Sequence, residues 1–491
     1  MTQVNHTSDP LIEQFDQVKN RVAKVLELAK SLGADGAEVA MSRQQGLSVG
    51  TRLGEVENVE FTNDGALGIT VYQAGRKGSA STADLSEKAL TQAVEAAVNI
   101  ARYTSVDDCS GLADKALLAM ETQDLDLYHP KTLTTEEAIE IAKECEHSAL
   151  DSDKRITNSD GANLDCFSGF KVYGNSHGQL VGYPSSRHSL SCVVIAGSDD
   201  QMQRDYAYDV NRDFSLLDSG VIIGKKAASE VISRLNPQKL STMKVPVLFR
   251  ADIANTIWGH FIAAISGGNL YRKSSFLMDA LGKDIFPNFI SIQERPHILK
   301  ALASSAFDSE GVLTQDRDII SAGELQTYLL TSYSARKLGL TTTGHAGGIH
   351  NWLVTDKNNS TKGNQAADFD AMLKTLGTGL LVTELMGQGV NVVTGDYSRG
   401  AAGFWVENGE IAYPVDEITI AGKLQDMFAG IVAIGNDIDM RGSIRTGSII
   451  VNEMQVSRKE KTETHTILIF IATSSVLSNT YSNKNPKRCW R

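Results

Sequence analysis

The segment Ala251–Phe276, ADIANTIWGHFIAAISGGNLYRKSSF, constrains the fold of this chain more than any other. A helical period of about 3.6 residues gathers its large apolar side chains on one stripe, which contains Ile253, Ile257, Trp258, Phe261, Ile262 and Ile265. The opposite stripe contains small residues, namely Asn255, Gly259, Ala263 and Ser266. The pattern predicts a helix that is buried on both sides, follows a strand at 245–249, and ends at Gly267-Gly268 in a left-handed cap.

The composition is that of an ordinary globular protein. Of 491 residues, 42% are hydrophobic and 22% are charged, and this length predicts two domains. The net charge of -12 argues against nucleic-acid binding, because phosphate contacts need a basic face. The five cysteines show no C-x-x-C spacing, which indicates reduced thiols. We find no secretory signal and no apolar run long enough for a membrane span, so we expect a cytoplasmic protein.

The first 240 residues are predicted to form one domain, in which helices pack on a mixed or antiparallel sheet. Period-two patterns predict strands between residues 37 and 72, with turns at 53–55, 63–65 and 75–78, and more strands between 156 and 208. Helices are predicted at 11–32, at 86–103, after a capping box at Thr134, and at 219–235. Asn236-Pro237 breaks the last helix, and we place the end of this domain there.

Residues 241–456 are rich in glycine and are predicted to form the second domain, a barrel-like mixed sheet around the helix that begins at Ala251. Strands are expected at 380–385, 390–393, 403–407 and 410–415, and Asn408-Gly409 predicts a type I′ hairpin. The predicted fold class is therefore α+β. Residues 457–491 show neither periodicity nor turn signals, and we expect an atypical, disordered tail.

One ionisable residue, His260, interrupts the apolar stripe of the segment 251–276. A zinc-binding helix of the zincin type needs two histidines on one face and a carboxylate as general base. Phe261 follows His260, and Ala264 and Ile265 occupy the positions where a second ligand could sit. This helix alone therefore predicts no metal site. We expect His260 to be a structural histidine with a hydrogen-bond partner.

A glycine-rich loop holds a second group of candidates. His345 and His350 flank Ala-Gly-Gly-Ile, and Asn351 follows directly. Two histidines could share a metal, and glycines let a ligand approach the backbone closely. Metal binding, contact with a ligand or a partner, and a purely structural loop all stay open for these three residues.

A third group lies in 395–400, which is predicted to be one tight loop. Asp396, Tyr397 and Arg399 supply an acid, a phenol and a guanidinium, a combination that suits contact with a carboxylate or a peptide backbone. An internal hydrogen-bond network is the alternative. No G-x-S-x-G elbow surrounds Ser398, which argues against a serine hydrolase.

Three runs of sequence resemble the TldE (PmbA) branch of the TldD/PmbA family. They are YGNSHGQLVGYPSSRHSLSCVV, TSYSARKLGLTTTGHAGG and GTGLLVTELMGQGVNVVTGDYSRGAAGFWVENGEIAYPVDEITIAG. The resemblance covers essentially residues 10–456. It implies a cytoplasmic two-domain subunit that pairs with TldD into a zinc metalloprotease for unfolded proteins or small peptides. Members of the family are linked to maturation of peptide-antibiotic precursors and to antitoxin degradation.

The resemblance also says where zinc is expected. In TldD, the helix corresponding to 251–276 carries His-Glu-x-x-x-His, and a cysteine of the C-terminal domain completes the site. The present chain has no His-Glu pair in that segment and no cysteine between Cys192 and Cys489. The resemblance therefore implies no catalytic residue, cofactor or metal in this chain, and zinc in a TldD-like partner.

Two alternatives remain. The chain could be a non-enzymatic peptide-binding or regulatory protein that uses the segments 344–351 and 395–400 as its binding surface. A metal-independent hydrolase built on 395–400 is the weaker alternative, since no pair of nucleophile and base is visible there.

Overall fold

The computed structural model describes residues 10–198, 201–357 and 368–458. Most of the tail predicted at 457–491 lies outside these ranges. Ser457 and Arg458 are described, and they end the last strand of the sheet instead of beginning a disordered segment. No helix in the described ranges combines the length and the apolar character needed to cross a membrane.

The N-terminal half contains a six-stranded sheet in which every pair is antiparallel. In spatial order its strands are β3 (Arg76–Thr82), β2 (Glu55–Gln73), β1 (Gly36–Arg52), β4 (Ile156–Asn175), β5 (Leu180–Ala196) and β6 (Gln203–Asn211). Four helices cover one face, namely α1 (Pro10–Ser31), α2 (Glu87–Tyr103), α3 (Thr135–Leu150) and α4 (Gly220–Ser233). Val39 of β1 belongs to the core under α1 and α2, and Val49 to the core under α3 and α4.

The capping box predicted at Thr134 is confirmed. The Thr134 hydroxyl accepts a hydrogen bond from the Glu137 N–H, and the Glu137 carboxylate accepts one from the Thr134 N–H. The turn predicted at 53–55 also forms, with positive φ angles of 50° at Leu53 and 79° at Gly54. The buried carboxylate of Glu146 accepts hydrogen bonds from both of these N–H groups.

The turn predicted at 63–65 is wrong, because β2 passes through these residues without interruption. They pair with residues 43–45 of β1, which pairs on its other side with β4. A turn at 63–65 would leave unpaired those backbone groups of β1 that point toward β2 over this stretch. The ladder therefore overrides the local preference of Asn-Asp-Gly for a turn.

The C-terminal half contains a closed barrel and a second sheet. Its strands are β7 (Met243–Phe249), β8 (Ile290–Glu294), β9 (Arg317–Ser321), β10 (Glu324–Leu325), β11 (Trp352–Asp356), β12 (Gly379–Met386), β13 (Val390–Asn391), β14 (Asp396–Glu407), β15 (Glu410–Lys423), β16 (Ile431–Ile434), β17 (Ile444–Arg445) and β18 (Ile449–Arg458). Strands β7, β12, β14, β15 and β18 pair in a ring, with β13 and β16 attached. The second sheet has the order β10-β9-β8-β11-β17.

A buried helix lies against the barrel, as predicted. The helices of this half are α5 (Ala251–Ile265), α6 (Gly267–Tyr271), α7 (Ser332–Leu338), α8 (Phe369–Leu376) and α9 (Leu424–Ala429). Val247 and Phe249 of β7 share one core with α5, whereas Leu248 between them belongs to the core beneath α8. The strands therefore curve around α5, and the predicted α+β class with a barrel-like mixed sheet is confirmed.

The small-residue stripe of α5 is less covered than the sequence pattern predicts. Asn255, Gly259, Ala263 and Ser266 are only half-buried. A Cβ atom added at Gly259 would meet no atom within 4 Å among the described residues. The apolar stripe packs in the core, and the opposite side of the helix borders open space.

The left-handed cap predicted at Gly267-Gly268 is wrong. Helix α5 ends at Ser266 in an extended conformation, and the two glycines begin α6. A Cβ atom at Gly267 would lie 2.2 Å from the Ser334 Oγ and 2.6 Å from the Ser334 Cβ, so Gly267 permits close packing of α6 on α7. The close approach of Ser334, and not a left-handed backbone conformation, is therefore the reason that this position is a glycine.

We expect Gly267→Ala to lower the midpoint of thermal unfolding, because relieving the clash with α7 costs about 1–3 kcal/mol. Gly268→Ala is the matched control. The Cβ atom added there would meet only the end of the flexible Arg272 side chain, at 3.3 Å. Equal melting temperatures for the two variants would contradict this explanation.

Candidate functional site

The predicted site residues fall into two groups. His345, His350 and Asn351 lie between α7 and β11, beside the second sheet. Asp396, Tyr397 and Arg399 lie at the start of β14 in the barrel.

His345 and His350 surround a buried acid, Glu294, at the end of β8. The Glu294 Oε1 lies 2.9 Å from the His345 Nε2 and 3.6 Å from the His350 Nδ1. The Glu294 Oε2 accepts hydrogen bonds of 3.0 Å from the backbone N–H of His350 and from the Trp352 Nε1. The His345 Nδ1 lies 2.7 Å from the Thr343 hydroxyl. The side chains of Glu294 and His345 are each 2% exposed.

The hydrogen bonds of this cluster favour the ionised carboxylate. Burial by itself raises the pKa of Glu294, but contacts with His345 and His350 outweigh it and hold the pKa well below its usual range. The 3.6 Å separation from His350 is too long for a hydrogen bond, so we assign most of this effect to His345. A buried charge is thus stabilised inside the second sheet.

The Asn351 side chain forms hydrogen bonds to three other residues inside the protein. Its Nδ2 donates hydrogen bonds of 2.8 Å to the Arg295 carbonyl and to the Ser304 hydroxyl, and its Oδ1 accepts one from the Ala303 N–H. The residue is fully buried. His345, His350 and Asn351 are all inside the protein, and their role as contacts for a substrate or partner stays a prediction.

Glu294, His345 and His350 also form the one group in the described ranges that brings three metal-ligating atoms together. The three atoms lie within 4.8 Å of one another. Two imidazoles and a carboxylate are a donor set that zinc accepts. A cation would have to replace the 2.9 Å contact between Glu294 and His345, and all three residues are buried. The three side chains therefore form a buried, internally hydrogen-bonded cluster with fewer than the four protein ligands of a structural zinc site, and they are shielded from any substrate.

His260, on α5, does not have the predicted hydrogen bond at its Nε2, which is buried without a partner. The imidazole lies edge-to-face against the Tyr397 ring, with centroids 5.8 Å apart. Burial lowers the pKa of His260, and the positive charge of Arg399 lowers it further, so the ring is neutral at pH 7. The helix therefore presents an imidazole to the barrel, and the expected local hydrogen bond is wrong at this atom.

Tyr397 and Arg399 share one face of β14. The predicted loop at 395–400 is wrong, because Tyr397 pairs with Gly422 and Arg399 with Ile420 in a regular ladder. Burial alternates along the strand, with Tyr397 buried, Arg399 half-buried and Ser398 between them exposed. This period-two pattern directs Tyr397 and Arg399 toward α5. A mixed polar composition concealed the strand from the sequence analysis.

Asp396 faces away from these two residues. It is exposed, forms a 2.9 Å ion pair with Lys423 and accepts a hydrogen bond from the Thr394 hydroxyl. The pKa of Asp396 is lowered most by the hydrogen bond from Thr394 and next by the contact with Lys423. The acid predicted to act with Tyr397 and Arg399 is therefore paired elsewhere on the surface.

Models of one family match most of the chain. The PmbA/TldA metallopeptidase domain 1 matches residues 37–101, the central domain matches 128–235, and the C-terminal domain matches 242–458. The metalloprotease PmbA homolog of Haemophilus influenzae is 58% identical over 90% of this chain and 97% of its own length. The chain belongs to the TldD/PmbA family.

Other comparisons agree with this assignment. The metalloprotease PmbA of Escherichia coli O157:H7 is 57% identical over 90% of this chain and 96% of its own length. The solved structure of TldE from Thermococcus kodakarensis matches with a TM-score of 0.76 and 19% identity, over 89% of this chain and all of that one. At that identity the likeness shows the fold alone. Together these matches place the chain on the PmbA branch.

The start of α5 in this PmbA-family protein borders a charged cleft of about 630 Å³ that the sequence analysis missed. Its walls come from β6, α4, β12 and residues 437–441. Arg250 pairs with Glu230 and with Asp252, each at 2.7 Å, and Arg234 pairs with Asp205 at 3.1 Å. Only long-range folding assembles these segments, so no local motif could have signalled the cleft.

Proposed function

We propose that this chain is the TldE/PmbA-like subunit of a heterodimeric zinc metalloprotease. Its TldD-like partner supplies the zinc and the general base, and this chain shapes the chamber that receives unfolded proteins or small peptides. The observation that carries the proposal is the small number of potential zinc ligands on α5. That helix holds one histidine, His260, and its one carboxylate, Asp252, is paired with Arg250.

The open side of α5 supports this assignment of different roles to the two subunits. The helix packs its apolar stripe in the core and leaves a half-buried face of small residues around Gly259. Space beside that face is available to a substrate or to a second subunit. We place the complex in the cytoplasm, and the resemblance suggests peptide-antibiotic precursors and antitoxins as substrate classes.

The test uses the full chain purified alone and together with a TldD-like partner. We expect zinc well below one ion per chain in the single protein, and no cleavage of an unfolded peptide that carries a fluorophore and a quencher. The pair should bind zinc and cleave the peptide. Tight stoichiometric zinc together with cleavage by this chain alone would overturn the proposal.

A non-enzymatic peptide-binding or regulatory protein is the second candidate. It is favoured by the unpaired polar groups of His260, Tyr397 and Arg399, which could hold a peptide without cutting it. Co-purification separates the two candidates. Retention of a TldD-like protein at physiological salt supports the protease subunit, and its loss favours the regulatory protein.

A further inference from the structure

Three polar atoms without partners lie on neighbouring side chains at the concave face of the barrel. They are the His260 Nε2, the Tyr397 hydroxyl and the Arg399 Nε. Tyr397 is 2% exposed. Leaving a buried polar group unpaired costs about 1–3 kcal/mol, so a cluster of three needs an explanation. A bound group that satisfies these atoms is such an explanation.

The charge of Arg399 is also unbalanced. Within the described ranges the Arg399 guanidinium forms no ion pair and no hydrogen bond, whereas the guanidinium groups of Arg250 and Arg234 each contact two carboxylates. Its positive charge lowers the pKa of His260 and opposes the rise that burial causes in the pKa of Tyr397. The nearest acid in sequence, Asp396, is paired with Lys423 on the other face of β14. The cluster is therefore short of one negative charge.

The surroundings leave room for a ligand next to this cluster. Gly259 precedes His260 on α5, and a side chain added there would enter open space. Ala401, two residues after Arg399 on the same face of β14, pairs with Leu385, which lines the charged cleft. The cluster thus lies next to the open side of α5, and β14 pairs with a strand, β12, that lines the charged cleft.

We propose that His260, Tyr397 and Arg399 form a binding site for a carboxylate group of a peptide. The guanidinium matches a carboxylate in charge and geometry, and the phenol and the neutral imidazole add hydrogen bonds. One positive charge balances a carboxylate but not a phosphate dianion. The choice of a peptide as the carrier rests on the proposed function. The carboxylate belongs either to the C-terminus or to an acidic side chain of the peptide.

The first experiment compares three acetylated peptides of alanine and glycine by calorimetric titration of the full chain. One has a free C-terminal carboxylate, one is amidated, and one is amidated with a single internal glutamate. We expect at least one carboxylate peptide to bind about tenfold or more tightly than the neutral one, as for hydrogen bonds to charged groups. The carboxylate peptide that binds more tightly shows whether the site takes a C-terminal carboxylate or an acidic side chain. Equal binding of all three peptides, or binding of none, overturns the site.

Variants assign the binding to this cluster. We expect Arg399→Gln to remove the preference for the acid peptide, Arg399→Lys to keep part of it, and Tyr397→Phe to weaken it. The matched control is Arg445→Gln. Arg445 also has a buried, unpaired Nε, but it lies on β17 of the second sheet. An unchanged preference in Arg399→Gln, or an equal loss in Arg445→Gln, contradicts the assignment. If Arg399→Gln does not fold, the comparison of peptides on the unaltered chain still decides.

Cleavage by the reconstituted pair separates this inference from the proposed function. If the pair cleaves acid and amidated peptides at equal rates, the carboxylate site is wrong and the protease subunit stands. If the pair cleaves no peptide while the lone chain still prefers the acid form, the site stands and the protease function is wrong. Inorganic phosphate that competes as well as the acid peptide would show a general anion site and overturn the peptide assignment.

Discussion

Replacement of Glu294 with alanine is expected to lower the free energy of unfolding by about 3–5 kcal/mol, the usual cost of removing one partner from a buried charged pair. The side chain accepts hydrogen bonds from His350 and Trp352 and lies 2.9 Å from the His345 Nε2. Without the carboxylate, these buried donors have no acceptor. Urea unfolding followed by tryptophan fluorescence measures the change.

Glu324→Ala provides the control for this prediction, because Glu324 is an exposed acid on β10 of the same sheet. We expect it to stay within about 0.5 kcal/mol of the unaltered protein. A Glu294→Ala variant as stable as this control would show that the buried cluster contributes little.

The stability supplied by Glu294 should also depend on pH. Its pKa is lowered in the folded protein, so its contribution is fully present above the ordinary pKa of 4.5 and is lost as the pH falls below that value. Glu294→Gln cannot ionise and should lose less stability over that acidic range. Parallel curves for the two proteins between pH 3 and pH 6 would contradict this assignment.

Local sequence patterns predicted the elements whose residues are neighbours in the chain. The capping box at Thr134, the turn at Leu53-Gly54 and the hairpin at Asn408-Gly409 all depend on a few adjacent residues. The apolar stripe of α5 predicted its burial because helical spacing alone gathers those side chains. Closure of the barrel had a weaker signal, since it depends on which distant strands pair.

The errors share one physical cause, which is that tertiary contacts decide between two local options. Asn-Asp-Gly at 63–65 favours a turn, but pairing with β1 keeps it in a strand. A glycine at 267 could cap a helix, but the position needs glycine because Ser334 packs too closely to leave space for a Cβ atom. Residues 395–400 have the composition of a loop, yet their alternation of exposed and buried positions fits a strand. In each case the deciding partner is far away in sequence.

The candidate site shows the same limit. Tyr397 and Arg399 were chosen for their chemistry, and nothing in the sequence near them points to His260, 137 positions before Tyr397. Glu294 was not a candidate, although it organises both predicted histidines, because a single acid at a strand end carries no motif. Chemical composition can select residues, but only the fold shows which of their polar atoms lack a partner.

The position of Trp258 explains why α5 can present His260 with a fixed orientation. Trp258 is fully buried, packs on the Phe286 ring with centroids 5.4 Å apart, and donates a 2.9 Å hydrogen bond from its Nε1 to the Thr446 hydroxyl. Thr446 lies between β17 and β18, so this contact joins the helix to both sheets of the C-terminal half. The side chains that could bind a ligand therefore depend on the core for their placement.

We expect Trp258→Ala to destabilise the protein by about 3–5 kcal/mol, because it leaves a large cavity in the core and removes the hydrogen bond that the Thr446 hydroxyl accepts from the indole. Asn255→Ala, on the half-buried side of the same helix, should change stability by about 0.5 kcal/mol or less. Urea unfolding of both variants measures the difference. If Trp258→Ala were as stable as Asn255→Ala, α5 would not be anchored through its apolar stripe. The orientation of His260 toward Tyr397 and Arg399 would then need another cause.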